Sequence, residues 1–408
     1  MSLRTLFVLP SAARAGGVDV VLQYANDLAS LHGFETFVTA LSGPLGFSHE
    51  FGTNFESLSL VDAFEQKFDV VIATHWSTVD VARSMKSERV VHFAQSMEDR
   101  FFGASSFLLQ QRVLGAQVSL DSITVAPWLE RELGRLGSPS TRLVRNPVPE
   151  LETKGQQVAC TEPLIVVEGS WQWFKGWQDA MGVLRRVESP FRVALVSSDG
   201  LLPRSVVRRA RRDLGRRRVI RHDRLSHLEF VELLRSAEIL LKTSAVEGAP
   251  LPHIEALLCS CVVITTPATG VELSVGHGRT GLVVEFGDFQ GAAALVDLVL
   301  REEDLRQELV AGGRRLVEDL PRRRESAHLF AEALSELFGS PHRSVGVSGA
   351  SLDDAWVRYA EVTFSDSWRS RIYRVALGLS RRALFQNLAF SLRETRVGRS
   401  LRRLLVQP

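Results

Sequence analysis

The chain has 408 residues, of which 45% are hydrophobic and 24% charged, with a formal net charge of +2. These values predict two or three globular domains and exclude a chain that is disordered over long stretches. Three cysteines without a zinc-type spacing exclude a disulfide framework and indicate a reducing compartment. No apolar window has the length of a signal-sequence core or a membrane span, so we expect a cytoplasmic protein.

Apolar runs of strand length alternate with helical patterns from the start of the chain. Thr5 to Leu9 is the first run, followed by the loop SAARAGG and an amphipathic stretch that ends at Gly33. Later strand candidates are Phe34 to Leu41, Phe68 to Thr74, Arg89 to Ala94 and Ser122 to Ala126. A strand, a glycine loop, a helix and a second strand open a doubly wound parallel sheet. We therefore predict a Rossmann-like α/β domain over residues 1–147.

A second series of strands follows a polar segment. Residues 148–163 are rich in proline and polar residues, which predicts an interdomain linker. The strand candidates beyond it are Leu164 to Gly169, Arg192 to Ser198, Arg218 to His222, Glu238 to Ser244, Cys261 to Thr266 and Gly281 to Phe286. They predict a second Rossmann-like domain over residues 164–340. We expect the two domains to face a central crevice, the default ligand site of such an architecture.

The C-terminal segment differs from the rest of the chain in charge. Residues Trp368 to Pro408 contain ten arginines and one acid, Glu394, so this segment carries +9 and the remainder −7. Leucine and phenylalanine recur among the arginines with rough helical spacing. We predict a basic helical extension over residues 341–408 that either packs on the acidic body or lies on an anionic membrane surface.

The segment EGAPLPHIEA, residues 247–256, places two carboxylates around a helix start. A glycine and two prolines interrupt regular structure, and apolar residues then recur with helical spacing, so a helix is predicted to begin near Leu251. Glu247 and Glu255 would both look out over the start of this helix. The helix dipole also favours acidic residues there, so the segment alone leaves a purely structural role open.

The order of five motifs resembles that of the retaining GT-B glycosyltransferases of family 4. The motifs are, in chain order, Gly16-Gly17, Arg145-Asn146-Pro147, Lys175-Gly176, the two glutamates Glu247 and Glu255 with seven residues between them, and Gly270 to Glu272 followed by RTGLVVEFGD. The resemblance covers roughly residues 4–340. It implies a GT-B fold and the transfer of a sugar from a nucleotide-diphosphate sugar with retention of the anomeric configuration.

The resemblance also implies catalytic candidates. Glu247 is expected to face hydroxyl groups of the donor sugar. Many family members end the fourth strand of the first domain on a histidine, and the aligned residue here is Gln95. His75 follows another strand at the predicted crevice edge and is the third candidate, although a structural role for it stays open.

The donor-binding candidates divide by the part of the nucleotide sugar that each would contact. Glu255 is expected to accept hydrogen bonds from the ribose hydroxyls, and Lys175 to bind the diphosphate. The missing side chains of Gly16 and Gly17 would allow a close approach of the backbone. The backbone of Gly248, Ala249 and Leu251 forms the predicted helix start, where N–H groups favour an anion.

One phosphate-binding cation of the family is absent from its usual position. The family has an arginine where this chain has Ser170, which we retain as a donor-binding candidate. Arg224 is a further donor-binding candidate and could supply the missing charge, as could Arg14 or Arg221.

The implied partners follow from this chemistry. The donor is expected to be a UDP-, GDP- or dTDP-linked sugar, and the acceptor a glycan, a lipid-linked sugar or a small molecule. We expect no cofactor, no metal and no nucleic acid. The protein would act in the cytoplasm, either free or peripherally on the inner face of the cell membrane.

Three other protein classes share parts of this pattern. A nucleotide-sugar 2-epimerase shares the architecture, but the spacing of the glutamates argues against it. A non-catalytic GT-B partner subunit is consistent with Ser170. An NAD-dependent dehydrogenase is disfavoured because SAARAGG lacks the G-x-G-x-x-G pattern.

Overall fold

A computed structural model describes residues 2–13, 15–42, 54–102, 107–150, 162–168, 172–197, 202, 204–214, 219–223 and 225–341. The described residues form two compact units. One comprises those within 1–13, within 17–144 and from 327 onwards, and the other those within 14–16 and 145–326. Each unit is built around a parallel sheet of its own.

The first unit has the predicted doubly wound sheet. Its strands and helices are β1 (Arg4–Leu9), α1 (Gly16–His32), β2 (Glu35–Ala40), β3 (Glu56–Ser57), α2 (Leu60–Glu65), β4 (Lys67–Ala73), α3 (Val79–Ser84), β5 (Lys86–Ala94), α4 (Phe107–Val118), β6 (Asp121–Thr124), α5 (Pro127–Arg135) and β7 (Thr141–Leu143). The strand order is β3-β2-β1-β4-β5-β6-β7, with parallel pairing throughout. Phe7, Ile72 and Phe93 on its central strands are fully buried, as expected of a parallel sheet covered on both faces.

The second unit repeats this plan. Its strands and helices are β8 (Leu164–Glu168), α6 (Trp177–Leu184), β9 (Arg192–Val196), α7 (Arg204–Asp213), β10 (Val219–His222), α8 (His227–Arg235), β11 (Ile239–Lys242), α9 (Leu251–Leu258), β12 (Val262–Thr265), β13 (Leu282–Val283), α10 (Phe289–Arg301) and α11 (Glu303–Glu318). The strand order is β10-β9-β8-β11-β12-β13, again with parallel pairing. From β8 the chain adds β9 and β10 on one side and then β11 to β13 on the other. β8 and β11 therefore border the switch point, where such sheets place ligands.

The predicted fold class is confirmed, because every strand candidate from the sequence is a strand in the structure. The sequence did not identify β3 and β7. Both are short, with two and three residues, and neither is a buried apolar run. Short edge strands of this kind lack the periodic signal that marks the central strands.

The last described helix, α12 (Arg323–Gly339), runs beyond the second unit. Phe330 on this helix is fully buried and stacks on Tyr24 with ring centroids 4.4 Å apart, and it meets Phe93 edge-on at 5.1 Å. From residue 327 onwards the helix therefore belongs to the first unit, whereas the sequence assigned residues 164–340 to the second domain.

The buried guanidinium of Arg89 fixes the end of α12. It pairs with Asp121, contacts the carbonyl oxygen of Ser340 at 3.1 Å and donates to its hydroxyl at 2.8 Å. The predicted basic extension and most of the predicted linker lie outside the described residues. Within the residues that are described, no helix combines the length and the apolarity needed to span a bilayer.

Candidate functional site

Two neighbouring strands of the second unit end in charged side chains. β8 ends at Glu168 and β11 ends at Lys242. The parallel register pairs Leu241 with Val167, so the next residue on each strand lies beside the other. The ammonium of Lys242 contacts Oε2 of Glu168, and the Lys242 side chain is only 1% exposed. This ion pair is therefore buried at the carboxyl end of the sheet.

The loop after β8 places Lys175 next to this pair. Lys175 ends the short 3-10 helix Trp173–Lys175, and Gly176 follows with a φ of 63°. A Cβ on Gly176 would lie 1.7 Å from the carbonyl oxygen of Thr243, whose hydroxyl donates to the Gly176 carbonyl at 2.6 Å. Only glycine fits both the conformation and the space, which gives the lysine-glycine pair a physical reason.

The loop after β11 brings Glu247 to the same place. The Glu247 carbonyl accepts from the hydroxyl of Thr269 at 2.7 Å. Oε1 of Glu247 lies 2.9 Å from Nζ of Lys242 and 3.3 Å from Nζ of Lys175. Nζ of Lys175 also lies 3.7 Å from Oε1 of Glu168. We call Glu168, Lys175, Lys242 and Glu247 the charged quartet.

Burial and mutual attraction act on the quartet in opposite directions. Burial would raise the pKa of Glu247, but the ammonium groups of Lys175 and Lys242 hold that pKa well below its usual range. Burial opposes the same two lysines at Glu168, whose pKa is also lowered. Burial would lower the pKa of Lys242, but its two carboxylate neighbours raise it. Both carboxylates therefore stay ionised at neutral pH, and the quartet is formally neutral.

The second predicted glutamate has a different partner. Oε1 of Glu255 lies 2.8 Å from Nε2 of His227, the first residue of α8. The Glu255 side chain is 9% exposed and that of His227 is 28% exposed. Glu247 before α9 and Glu255 within it therefore have separate partners, the lysines of the quartet and the imidazole of His227.

Helix α9 begins at Leu251, as predicted. Pro250 precedes the helix and Pro252 is its second residue, so neither provides an N–H donor. The backbone N–H groups at this helix start belong to Gly248, Ala249 and Leu251. An anion placed there would be favoured by these donors and by the helix dipole, with fewer donors than a proline-free start would offer.

A buried histidine on α9 lies near the quartet. Nδ1 of His253 is 3.0 Å from the hydroxyl of Ser274, and the side chain is fully buried. Burial, and next the positive charge of Lys242, lower the pKa of His253 to about 3. The imidazole is therefore neutral at physiological pH and adds no charge to the quartet.

In the first unit, the structure brings two predicted residues together. The side-chain amide of Gln95 donates to the carbonyl oxygen of Gly17 at 3.0 Å, and a Cβ on Gly17 would lie 3.2 Å from Oε1 of Gln95. Gly17 therefore allows close packing against the end of β5. At Gly16 no described atom lies within 4 Å of such a Cβ, so packing does not require a glycine there.

The third catalytic candidate, His75, caps a short 3-10 helix after β4. Its Nδ1 accepts from the Ser77 backbone N–H at 3.3 Å, and its Nε2 lies 3.7 Å from Oε2 of Glu98. Burial lowers the pKa of His75 and raises the pKa of Glu98 to about 8, although the Trp76 N–H donates to Glu98 at 2.6 Å. Both groups are therefore mainly neutral at pH 7, and they form no ion pair.

Of the candidates for the missing phosphate-binding cation, the structure describes Arg221. Arg221 donates to the Leu202 carbonyl at 3.0 Å and pairs with Asp223 at 2.6 Å, so its guanidinium connects β10 to the segment between β9 and α7. The remaining candidates lie outside the described residues, namely Arg14, Ser170 and Arg224.

The sequence did not point to Glu168 and Lys242 of the charged quartet, or to His227, the partner of Glu255. A sequence signal did exist for the first two. The runs LIVVE and ILLK are apolar until a final charged residue, and charged ends of adjacent buried parallel strands meet at one edge. His227 gave no such signal, because its contact with Glu255 spans 28 positions between two helices.

In the part of the chain that the structure describes, no group of three or more His, Cys, Asp or Glu side chains could hold a metal ion. Independence from metal stays a prediction.

Solved structures share the fold of this chain. Anabaena HepE, solved with UDP-glucose, aligns with a TM-score of 0.67 at 15% identity, over 82% of this chain and 100% of that one. Sucrose-phosphate synthase of Thermosynechococcus elongatus also has a TM-score of 0.67, at 18% identity, over 82% and 99%. At such identities the likeness is one of fold.

The family comparison locates the relationship in the second unit. Residues 161–316 match the family described as Glycosyl transferases group 1. The chain has the GT-B fold, and its residues 161–316 are similar to group 1 glycosyltransferases. A stretch of 94 residues is 33% identical to the Staphylococcus aureus capsular polysaccharide biosynthesis glycosyltransferase CapM, covering 23% of this chain and 24% of CapM. The chain thus matches about a quarter of that relative's length, and the charged quartet lies within the residues that match the group 1 family.

Proposed function

We propose that this protein is a retaining glycosyltransferase of the hexosyltransferase type. It would move a sugar from a nucleotide-diphosphate sugar to a glycan, lipid-linked or small-molecule acceptor. One observation carries the proposal: Lys175 and Glu247, expected from separate motifs to bind the diphosphate and the sugar, have their charged atoms 3.3 Å apart. The diphosphate and the adjoining sugar of one donor could therefore be held side by side within the residues that match the group 1 family.

The donor would displace contacts that exist without it. The diphosphate would compete with Glu247 for the ammonium of Lys175 and accept from the N–H groups at the start of α9. Glu247 would then accept from hydroxyls of the sugar. Glu255, held by His227, would accept from the ribose diol. Each contact uses a charged acceptor or donor, for which hydrogen bonds are strong.

The electrostatics of Glu247 support a retaining mechanism without a protein nucleophile. A carboxylate whose pKa is held well below its usual range by two ammonium groups is a weak base and a weak nucleophile. We therefore assign deprotonation of the acceptor hydroxyl to the leaving phosphate, on the same face of the sugar. The side chains of this protein would position the donor and stabilise the departing diphosphate.

UDP-sugars are the first donors to test, because HepE was solved with UDP-glucose. GDP- and dTDP-sugars are the alternatives. The first unit would receive the acceptor, with Gln95 and His75 as candidate contacts. We also propose a cytoplasmic protein that is free or attached to the inner face of the membrane through its basic tail.

A panel of UDP-, GDP-, dTDP- and ADP-sugars tests this proposal through thermal unfolding and then turnover. A ligand at a hundred times its dissociation constant stabilises the folded state by about 2.7 kcal/mol, which is readily measured. We expect one base to raise the unfolding temperature and one sugar of that base to be transferred. Isomerisation of the donor without an acceptor would instead identify an epimerase, and tight binding without turnover a non-catalytic subunit.

A further inference from the structure

Lys242 and Glu168 form a buried ion pair to which none of the family motifs assigns a role. The Lys242 side chain is 1% exposed, compared with 17% for Lys175. A buried charge is costly unless it is paired, and replacing such a pair by apolar residues is often neutral or stabilising. Stability alone therefore does not explain why two charges stand at the ends of β8 and β11.

The contacts of Glu247 suggest what the pair does. Its Oε1 lies near both ammonium groups, 2.9 Å from Lys242 and 3.3 Å from Lys175. Lys175 is the more exposed of the two lysines and is the one within reach of a ligand. If Lys175 turns toward a diphosphate, Lys242 is the remaining cation of the quartet that can hold the carboxylate.

We propose that Lys242, itself fixed by Glu168, is a positioning residue that keeps the Glu247 carboxylate oriented and ionised while Lys175 binds the donor diphosphate. The inference rests on the proposed function. It also gives Glu168 a part: its Oε2 contacts Lys242 and its Oε1 lies 3.7 Å from Lys175, so it orients the two lysines from the side opposite Glu247.

The charges around Glu247 make the consequence specific. Among the described residues, the titratable groups that face it are Lys175, Lys242, Glu168 and the neutral His253. Without Lys242, binding of Lys175 to phosphate would leave Glu247 and Glu168 buried together with no cation of their own. One carboxyl would then take up a proton, and a protonated Glu247 would be a poorer acceptor for a sugar hydroxyl.

Two variants separate positioning from packing. Lys242→Met removes the cation, and Lys242→Met/Glu168→Leu removes the whole pair while leaving Lys175 and Glu247 to balance each other. A purely structural pair predicts that the double variant recovers both thermal stability and turnover. A positioning role predicts that it recovers stability, whereas kcat stays at least about tenfold below that of the wild type.

Nucleotide binding supplies the second readout. In both variants we expect the Kd for the free nucleoside diphosphate to stay within about threefold of the wild type, because Lys175 and Glu255 remain. A titration of ¹³C-labelled glutamate, with Glu247 assigned by its loss in Glu247→Gln, should show no protonation of this carboxyl in wild type with nucleotide. In Lys242→Met with nucleotide, the Glu247 carboxyl should take up its proton at a higher pH than it does in wild type.

The buried pair Arg89–Asp121 in the first unit provides a matched control. Arg89→Met should lower the unfolding temperature but leave kcat per folded molecule unchanged. Full recovery of kcat in Lys242→Met/Glu168→Leu, or an unchanged Glu247 titration in Lys242→Met, would overturn the inference. The titration needs no turnover. A wild type that transfers no sugar would therefore count against the proposed function, and the Glu247 titration would still test the role of Lys242.

Discussion

Two glutamates of the same helix start illustrate how surroundings decide the role of a residue. Glu247 lies among lysines, which hold its pKa low, whereas Glu255 contacts one imidazole. At Glu98, in the first unit, burial is the largest effect and raises the pKa to about 8. The three carboxyls are therefore a fixed anion, a hydrogen-bond acceptor and a mainly neutral acid.

Replacing Glu255 should affect the nucleotide rather than the sugar. In Glu255→Ala the ribose diol would lose its acceptor, and we expect affinity for the free nucleoside diphosphate to fall by about 1–3 kcal/mol. Calorimetry measures this directly, and Glu247→Ala is the matched control with near-normal nucleotide affinity. Unchanged affinity in Glu255→Ala would remove Glu255 from the ribose site.

Glu98 predicts a pH dependence of stability. Its folded-state pKa of about 8 lies above the ordinary value of 4.5, so the folded state binds the proton more tightly than the unfolded state. The contribution of Glu98 to the free energy of unfolding is fully present below about pH 4.5 and is lost as pH rises from there through about 8. Within that window it falls by up to about 1.4 kcal/mol per pH unit.

The variant Glu98→Gln should abolish this dependence. Its unfolding temperature, compared with that of the wild type across the same pH series, should become relatively higher as pH rises. Parallel curves for the two proteins would contradict a raised pKa at Glu98.

At the scale of elements, the quartet depends on loops that are locked to strand ends. The loop bearing Lys175 is held to the residues that follow β11 by the Thr243 hydroxyl and by a hydrogen bond from the Ala245 N–H to the Phe174 carbonyl at 2.7 Å. The loop bearing Glu247 is tied through Thr269. Rigid strands thus set the distances between charges that reside on loops.

Two glycines with similar backbone angles test this locking. Gly176 has a φ of 63° and its Cβ would clash with Thr243, whereas Gly278 has a φ of 72° and no described atom within 4 Å. Gly278→Ala should cost about 1 kcal/mol from backbone strain alone. Gly176→Ala should cost more and weaken donor binding. Equal losses in the two variants, measured by denaturant unfolding and nucleotide titration, would show that the close approach is unimportant.

At the scale of the molecule, sequence patterns were informative where burial is continuous. Central strands and the start of α9 were predictable because apolar runs and prolines act locally. The quartet was only half predictable, because Lys242 becomes meaningful once β8 and β11 are known to be neighbours. The return of α12 to the first unit depends on Phe330 meeting Tyr24, a contact between residues about 300 positions apart that no local pattern encodes.

The basic tail makes a prediction about the whole chain. We expect the full-length protein to bind vesicles containing anionic lipid, with binding that fades as salt rises, because surface charges are screened beyond about 8–10 Å at physiological ionic strength. A chain ending at Pro341 retains the Ser340 contacts of Arg89 and should fold, bind nucleotide and lose vesicle binding.

The competing arrangement predicts the opposite. If the tail packs on the acidic body, the shortened chain should lose stability or solubility while the full chain ignores lipid charge. Equal binding of the full-length protein to neutral and anionic vesicles at low salt would contradict membrane attachment.

The central claim is that Glu247 serves sugar transfer from a bound nucleotide sugar. The most direct test is sugar transfer by wild type and Glu247→Ala at saturating donor, with nucleotide affinity measured on the same samples. We predict that kcat falls at least about a hundredfold while the Kd for the free nucleoside diphosphate changes by less than about threefold. A Glu247→Ala protein that keeps most of its turnover would contradict the account.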